Sequence, residues 1–283
     1  FMFGSKLKSF MASIVAATYC VVTSSSALAC TSIAVADTKG NIYHARTMEF
    51  AGSIPSQLTY MPAGTQIESV TPANKPGVTF NTKYAILGMS GEFVKGTKQP
   101  TVGDAINDQG LSFSANALPS STSTHLGSDD SKILSAADFG TWVLGNFKTV
   151  DEVKKAMASG QTQIWLPNMP LFGNIPLPLH YAIHDKNGGA IVVEFQNGMA
   201  NVYDNPANVM TNGPGFPWHL ENLNNYTFTN MDKNTGQLGK LKLATHDAGI
   251  ATTALPAAET SQGRFVKAAF YANYVRKGAT PDE

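Results

Sequence analysis

The chain has no charge of either sign to spare. Lys and Arg together number 20, Asp and Glu also number 20, and charged residues make up only 14% of the 283 positions. With no basic surplus to meet a phosphate backbone, no nucleic-acid partner is expected. Scarce charge beside 43% hydrophobic residues also excludes a disordered polymer, since apolar material for a core is ample. No stretch approaches the ~20 consecutive apolar residues of a membrane-spanning helix. Common catalytic signatures are missing too: there is no G-x-x-x-x-G-K-[ST], no H-E-x-x-H, no paired C-x-x-C and no G-x-S-x-G. Gly88-Met89-Ser90-Gly91 and Gly213-Pro214-Gly215 begin such patterns without completing them. His44, His125, His180, His184, His219 and His246 are scattered without metal-ligand spacing. His180 and His184 lie four apart, but on an expected strand, where they share a face without forming a helical clamp. Neither a metal nor a cofactor is expected.

Cysteine is nearly absent as well, and the two present are informative. Residues 1–29 read differently from the rest: Lys6 and Lys8, an apolar or small run over 10–22, then Ala27-Leu28-Ala29. This is the pattern of a secretory signal, with a core too short for a permanent membrane helix. A membrane anchor or buried helix and a lipoprotein signal are the rivals, although Ala27 stands where lipoprotein signals carry a larger aliphatic residue. Cleavage after Ala29 removes Cys20 and leaves Cys30 as the first residue and the sole thiol of an exported, periplasmic or extracellular protein. A lone thiol cannot close an intramolecular disulfide and is flagged as reactive.

From Thr31 onward the pattern is strand-like. Residues 31–36 and 42–46 alternate polar and apolar around the turn 37–41, predicting a hairpin. Further strands are expected over 83–89, 111–117 after the turn 107–110, 179–185, 190–195 and 199–203, with an exposed loop over 119–131. Ser135-Ala136-Ala137-Asp138 and Thr149-Val150-Asp151-Glu152 resemble capping boxes opening helices to about 147 and 158, and 264–276 has helical apolar spacing. Strands, then helices, then strands predict an α+β fold of segregated layers, with two antiparallel sheets between helical layers.

A thiol beside its own α-amine is a self-contained nucleophile and base. The thiolate is the attacking species, and an α-amine with a pKa of about 7.7–8.0 can take the thiol proton near neutrality. An inert buried cysteine that happens to follow a cleavage site fits the same pattern, and the local sequence leaves both readings open.

Cys30-Thr31-Ser32-Ile33 followed by His44-Ala45-Arg46-Thr47-Met48-Glu49-Phe50 resembles the mature start of the choloylglycine hydrolase and penicillin V acylase family. The segment 107–116, the blocks Met210-Thr211-Asn212-Gly213-Pro214 and Leu223-Asn224-Asn225-Tyr226, and Gly263-Arg264-Phe265-Val266 match in family order. The resemblance implies a four-layer αββα N-terminal-nucleophile hydrolase sandwich over 30–283. It implies hydrolysis of a linear amide of an acylated small molecule, such as penicillin V, an acyl-homoserine lactone or a conjugated bile salt. Carried over by position, Cys30 is nucleophile and, through its amine, base. Arg46 places a positive charge by the thiol, Glu49 orients the amine, Asn116 and Asn212 donate to the oxyanion, and Arg264 completes the network. Met48, Phe50, Tyr60 and Phe113 become candidates for the acyl pocket. Homotetramers are common in such a family. Two departures stand out: Glu49 replaces the family's aspartate, and family chains continue past the equivalent of Glu283 with further strands, so a C-terminally truncated domain is expected. Two other classes remain: an inactive acyl-ligand binding relative, and an envelope lipoprotein acylated on Cys30.

Overall fold

The computed structural model describes residues 29–49, 53–94, 97–226, 229–230, 235–244, 255–280 and 282. Ten strands build the two main sheets: β1 (Ala29–Ala36), β2 (Ile42–Glu49), β3 (Gln57–Met61), β4 (Ile86–Gly91), β5 (Thr101–Asn107), β6 (Leu111–Ala117), β7 (Leu179–Asp185), β8 (Ala190–Gln196), β9 (Met199–Asp204) and β10 (Val209–Met210). Strands β3 to β9 form a seven-stranded antiparallel meander in sequence order, while β10, β1 and β2 form a second antiparallel sheet with β1 at its centre. Helices α1 (Phe139–Asn146) and α2 (Val150–Ala158) pack on the meander. Helix α4 (Ser261–Tyr274) packs on β1 and β10, with α3 (Phe216–Asn222) against it. The layers therefore run helix, sheet, sheet, helix. None of the helices among the described residues is long and apolar enough to cross a membrane.

Local chemistry explains the turns. Asp37 Oδ1 accepts from the backbone N–H of Lys39 (2.8 Å) and Asn41 (2.9 Å), closing β1 onto β2. Asn107 Oδ1 accepts from the N–H of Gln109 and Leu111 around Gly110, whose φ of 84° suits glycine. Asp185 repeats the device before β8, accepting from Asn187 and Gly189. The capping boxes are only half made. Thr149 Oγ1 accepts from the Glu152 N–H (3.2 Å), but the Glu152 carboxylate reaches back to Lys148. Ser135 caps a single 3₁₀ turn (Ala136–Asp138) ahead of α1, and Asp138 turns instead to Ser69 (2.6 Å) and Gln99 (2.5 Å).

Under α1 the core is aromatic. Phe113, Phe139 and Tyr181 meet with ring centroids 5.0–6.0 Å apart. Phe113 is thus a core residue rather than part of a loop around the acyl pocket. A Cβ at Gly140 would stand 2.9 Å from the Phe113 ring, so glycine there lets α1 lie against the sheet. A second cluster joins Ala182 and Val192, on the inner face of the meander, to Val209, Phe216 and Phe265. Beyond it the inner face is open: Leu58, Tyr60, Leu87, Met89 and Ile106 are exposed, and among the described residues β2 pairs only with β1. Tyr60 belongs to this open face. Phe50 lies outside the described residues.

One irregularity positions the site. β5 and β6 pair only over Asp104–Ile106 against Ser112–Ser114. Past Ser114 they diverge, while β6 goes on pairing with β7 as far as Ala117. The gap between 101–103 and 115–117 is where a cavity opens beside the start of β1.

Candidate active site

Cys30 is the second residue of β1, opposite Met48 of β2, and is 6% exposed. Antiparallel alternation puts Cys30, Ser32, Arg46 and Met48 on the face turned toward the meander. Cys30, Arg46 and Met48 all line the cavity, about 100 Å³ in volume, whose other walls include Val102, Ala117, Phe172 and Tyr181. Of the candidates for the acyl pocket, Met48 is the one the structure places there.

Arg46 reaches across the gap between the sheets. Its Nη1 donates to both oxygens of Asp104 (3.0 and 2.8 Å) and to the Ala115 carbonyl (2.8 Å), at the point where β6 has lost β5. Asp104 also accepts from Ser114 Oγ. The positive charge expected next to the thiol lines the same cavity as Cys30 and is tied to a carboxylate. Asp104 was invisible as a partner in the sequence, 58 residues from Arg46.

The turn after β10 carries the second half of the site. β10 pairs with β1 through Met210 and Ser32, so Thr211 and Asn212 run alongside Thr31 and Cys30. Asn212 Oδ1 accepts from the Cys30 backbone N–H (2.9 Å) and from Arg264 Nη2 (2.8 Å), and Asn212 Nδ2 donates to the Ala117 carbonyl (2.7 Å). Arg264, on α4, further donates through Nη1 to the Cys30 carbonyl (2.5 Å) and Thr31 Oγ1 (2.8 Å). Burial lowers the Arg264 pKa, whereas Glu49, Cys30 and Glu259 pull it upward.

Two expected partners sit differently. Glu49 faces Ala29 rather than Cys30 in the strand register and is exposed. It acts electrostatically on Arg264, and the Cys30 N–H goes to Asn212 instead. Asn116 is fully buried, with Nδ2 donating to the carbonyls of Met210 (3.2 Å) and Thr211 (2.8 Å). It meets Cys30 through this turn, and donation to an oxyanion requires it to release one of those carbonyls. Its Oδ1 is buried without a hydrogen-bond partner among the described residues. Cys30, Asn212 and Arg264 thus touch directly, Arg46 lines the same cavity as Cys30, and Asn116 and Glu49 stand one contact back.

Four further residues, absent from the sequence reading of the site, hold this turn. Ser261 Oγ accepts from the Asn212 N–H (3.0 Å), His219 Nε2 donates to the Asn212 carbonyl (3.0 Å), and the buried pair His180 and Glu194 bonds either end of it. Burial pushes His219 down to about 4, only partly offset by its bond to the Asn212 carbonyl. His44, held between Ser32 (2.6 Å) and Ser112 (2.9 Å) with its ring tilted against that of His184, also falls to about 4, chiefly through burial. The polar contacts of these two histidines run to Ser32 and Ser112 and to the Asn212 carbonyl.

The family model described as linear amide C–N hydrolases, choloylglycine hydrolase family, matches residues 30–283. A bile salt hydrolase/transferase of Clostridium perfringens is 32% identical over 244 residues, spanning 85% of this chain and 71% of that protein. A penicillin V acylase of Pectobacterium atrosepticum is 27% identical over 254 residues, spanning 88% and 61%. Among solved structures, a variant of the conjugated bile acid hydrolase from C. perfringens superposes with a TM-score of 0.67 at 29% identity, covering 89% of this chain and 75% of the other. A penicillin V acylase from Agrobacterium tumefaciens gives 0.69 at 25% identity, covering 90% and 68%.

Proposed function

The chain belongs to the linear amide C–N hydrolases of the choloylglycine hydrolase family, and on that premise we propose that it is an exported cysteine amidase whose mature N-terminus is Cys30. The observation that carries this reading is the Cys30 nitrogen itself. It is held by Asn212 Oδ1, on a residue that Arg264 also grips, at the edge of a cavity. Removal of residues 1–29 converts that nitrogen into an α-amine. The start of the family match at residue 30 supports the same boundary.

The chemistry then follows from the groups present. The α-amine takes the Cys30 thiol proton, and the thiolate attacks the amide carbonyl carbon. Asn212 Nδ2 commits one hydrogen to Ala117 and gives the other to the developing oxyanion. Collapse expels the amine leaving group, which takes the proton back from the α-ammonium, and leaves a thioester on Cys30. Water, deprotonated by the same α-amine, hydrolyses the thioester. Arg46 and Arg264 favour the anionic species formed along this path.

The acyl group enters the cavity between 101–103 and 115–117. Its walls are almost wholly apolar, with Phe93, Phe172 and Tyr181 supplying rings, so an apolar, ring-bearing or alkyl acyl chain is the fitting class. Phenoxyacetyl penicillins, acyl-homoserine lactones and conjugated bile salts all present one. N-terminal sequencing of the secreted protein, followed by assay on one amide of each kind, tests the proposal. A sequence beginning Cys-Thr-Ser-Ile with turnover of at least one amide is expected. Any other first residue overturns the mechanism, and a lipid on Cys30 makes the protein an envelope lipoprotein.

A further inference from the structure

The turn 211–216 carries Asn212 at the Cys30 nitrogen, and one buried pair holds both of its ends. His180 (β7) and Glu194 (β8) are 1% and 0% exposed and bond each other through Nδ1 and Oε1 at 2.9 Å. His180 Nε2 lies 3.0 Å from the Thr211 carbonyl, at the beginning of the turn. Glu194 Oε1 accepts from the Phe216 N–H at 2.9 Å, at its end. A carbonyl can only accept, so His180 Nε2 carries a proton. Glu194 Oε1 already accepts from Phe216, and the remaining proton of the pair lies between it and His180 Nδ1. Glu194 Oε2 has no hydrogen-bond partner among the described residues, and a Cβ at Gly215 would stand 3.2 Å from it, so the carboxylate fills the space inside the turn.

Burying such a pair is costly, and apolar residues of similar size are often as stable or more so. Stability therefore does not account for its placement, whereas the two ends it grips do. We infer that His180 and Glu194 are positioning residues, clamping Thr211 and Phe216 so that Asn212 is aimed at the Cys30 nitrogen. This rests on the proposed role of Cys30 and adds a specific route from the meander to the nucleophile. The chemistry at Cys30 needs Asn212 Oδ1 within bonding distance of the amine. Strand register alone does not set that distance, because the pairing of β10 with β1 ends at Met210.

The test is the double variant His180→Leu/Glu194→Met in the mature chain, which leaves no buried charge unpaired. A purely structural pair would be replaced at little cost in stability or activity. The clamp predicts a melting temperature close to the parent's, KM within about twofold, and kcat lower by about tenfold, because aim rather than binding is lost. Adding Asn212→Ala should lower kcat no further than Asn212→Ala does alone, since both act on one contact. Unchanged kcat, or losses that multiply with Asn212→Ala, overturns the inference. Should the double variant not fold, Glu194→Gln keeps the packing and enters the same cycle with the same two outcomes. Alkylation of Cys30 by iodoacetamide keeps the test independent of the substrate reading. If the parent cleaves no amide, the functional proposal falls, while an alkylation pH profile identical in parent and double variant separately overturns the clamp.

Discussion

Replacing Arg264 by lysine keeps the positive charge and removes the fork. Arg264 donates to the Cys30 carbonyl at 2.5 Å, Thr31 Oγ1 at 2.8 Å, Asn212 Oδ1 at 2.8 Å and the Glu259 carbonyl at 3.2 Å. Those acceptors are reached from three different nitrogens, and a single ammonium on a shorter stem cannot serve them together. At least two of the bonds are lost. Hydrogen bonds from a charged group contribute about 1.5–3 kcal/mol each, and for this half-buried side chain the lower end applies, giving a loss of roughly 3 kcal/mol. If that loss falls on the placement of Cys30 and Asn212 in the transition state, kcat/KM drops about a hundredfold at about 1.4 kcal/mol per decade. The assay is kcat/KM of Arg264→Lys on the mature enzyme's best amide, normalised to thiols titrated by iodoacetamide, with urea melts run in parallel. A kcat/KM within about threefold of the parent, together with a lowered urea midpoint, would show Arg264 to be a structural tie alone and refute the reasoning.

Asp104→Asn leaves the Arg46 charge uncompensated and should move the pH profile of Cys30 alkylation downward, whereas Arg46→Ala leaves the Asp104 carboxylate beside the cavity and should move it upward. Equal profiles in both variants would place the pair too far from the thiol to matter. Stability should fall in mild acid. His44 and His219 are held at about 4 against an unfolded value of 6.5, so the unfolded chain binds their protons first. The stability is complete above pH 6.5 and is lost as pH falls toward 4, by up to about 3 kcal/mol per histidine. Urea midpoints measured across that interval check it, and a flat curve contradicts it. Phe113→Ala empties the centre of the aromatic core against Phe139 and Tyr181 and should cost about 3–5 kcal/mol by chemical denaturation while KM hardly changes.

The parts of the fold legible in the sequence are those whose turns carry their own chemistry. The β1–β2 hairpin, β6 and the run from β7 to β9 sit where alternation and Asp, Asn or Gly turns predict them, because Asp37, Asn107 and Asp185 close their loops with side-chain bonds. β3, β5 and the hairpin strands Gln66–Val70 and Pro76–Asn81 were not predicted. They are short, and β3 is largely exposed on a face that no described element covers, so periodicity has little burial to report. Helix α4 begins three residues earlier than its apolar spacing suggests, since Thr260 caps it through the Gly263 N–H. Within the site, Cys30 was legible from its place after a cleavage pattern, and Arg46, Asn212 and Arg264 from resemblance. Asp104, His180 and Glu194 were not, because their partners Arg46, Thr211 and Phe216 stand between 22 and 58 residues away and are brought near only by sheet register and one turn. Glu49 carries a different lesson. Resemblance assigned it to the Cys30 amine, but strand register decides which residue it opposes, and that residue is Ala29.

The central claim is that Cys30 attacks the amide and carries the acyl group. Acid-quenching the mature enzyme during turnover of an amide it cleaves, then weighing the intact protein and its N-terminal peptide, tests this directly. The account predicts a mass increase equal to the acyl group on the peptide beginning at Cys30, absent from Cys30→Ser. Continued amide hydrolysis by Cys30→Ser, or an acyl adduct on any other residue, would contradict it.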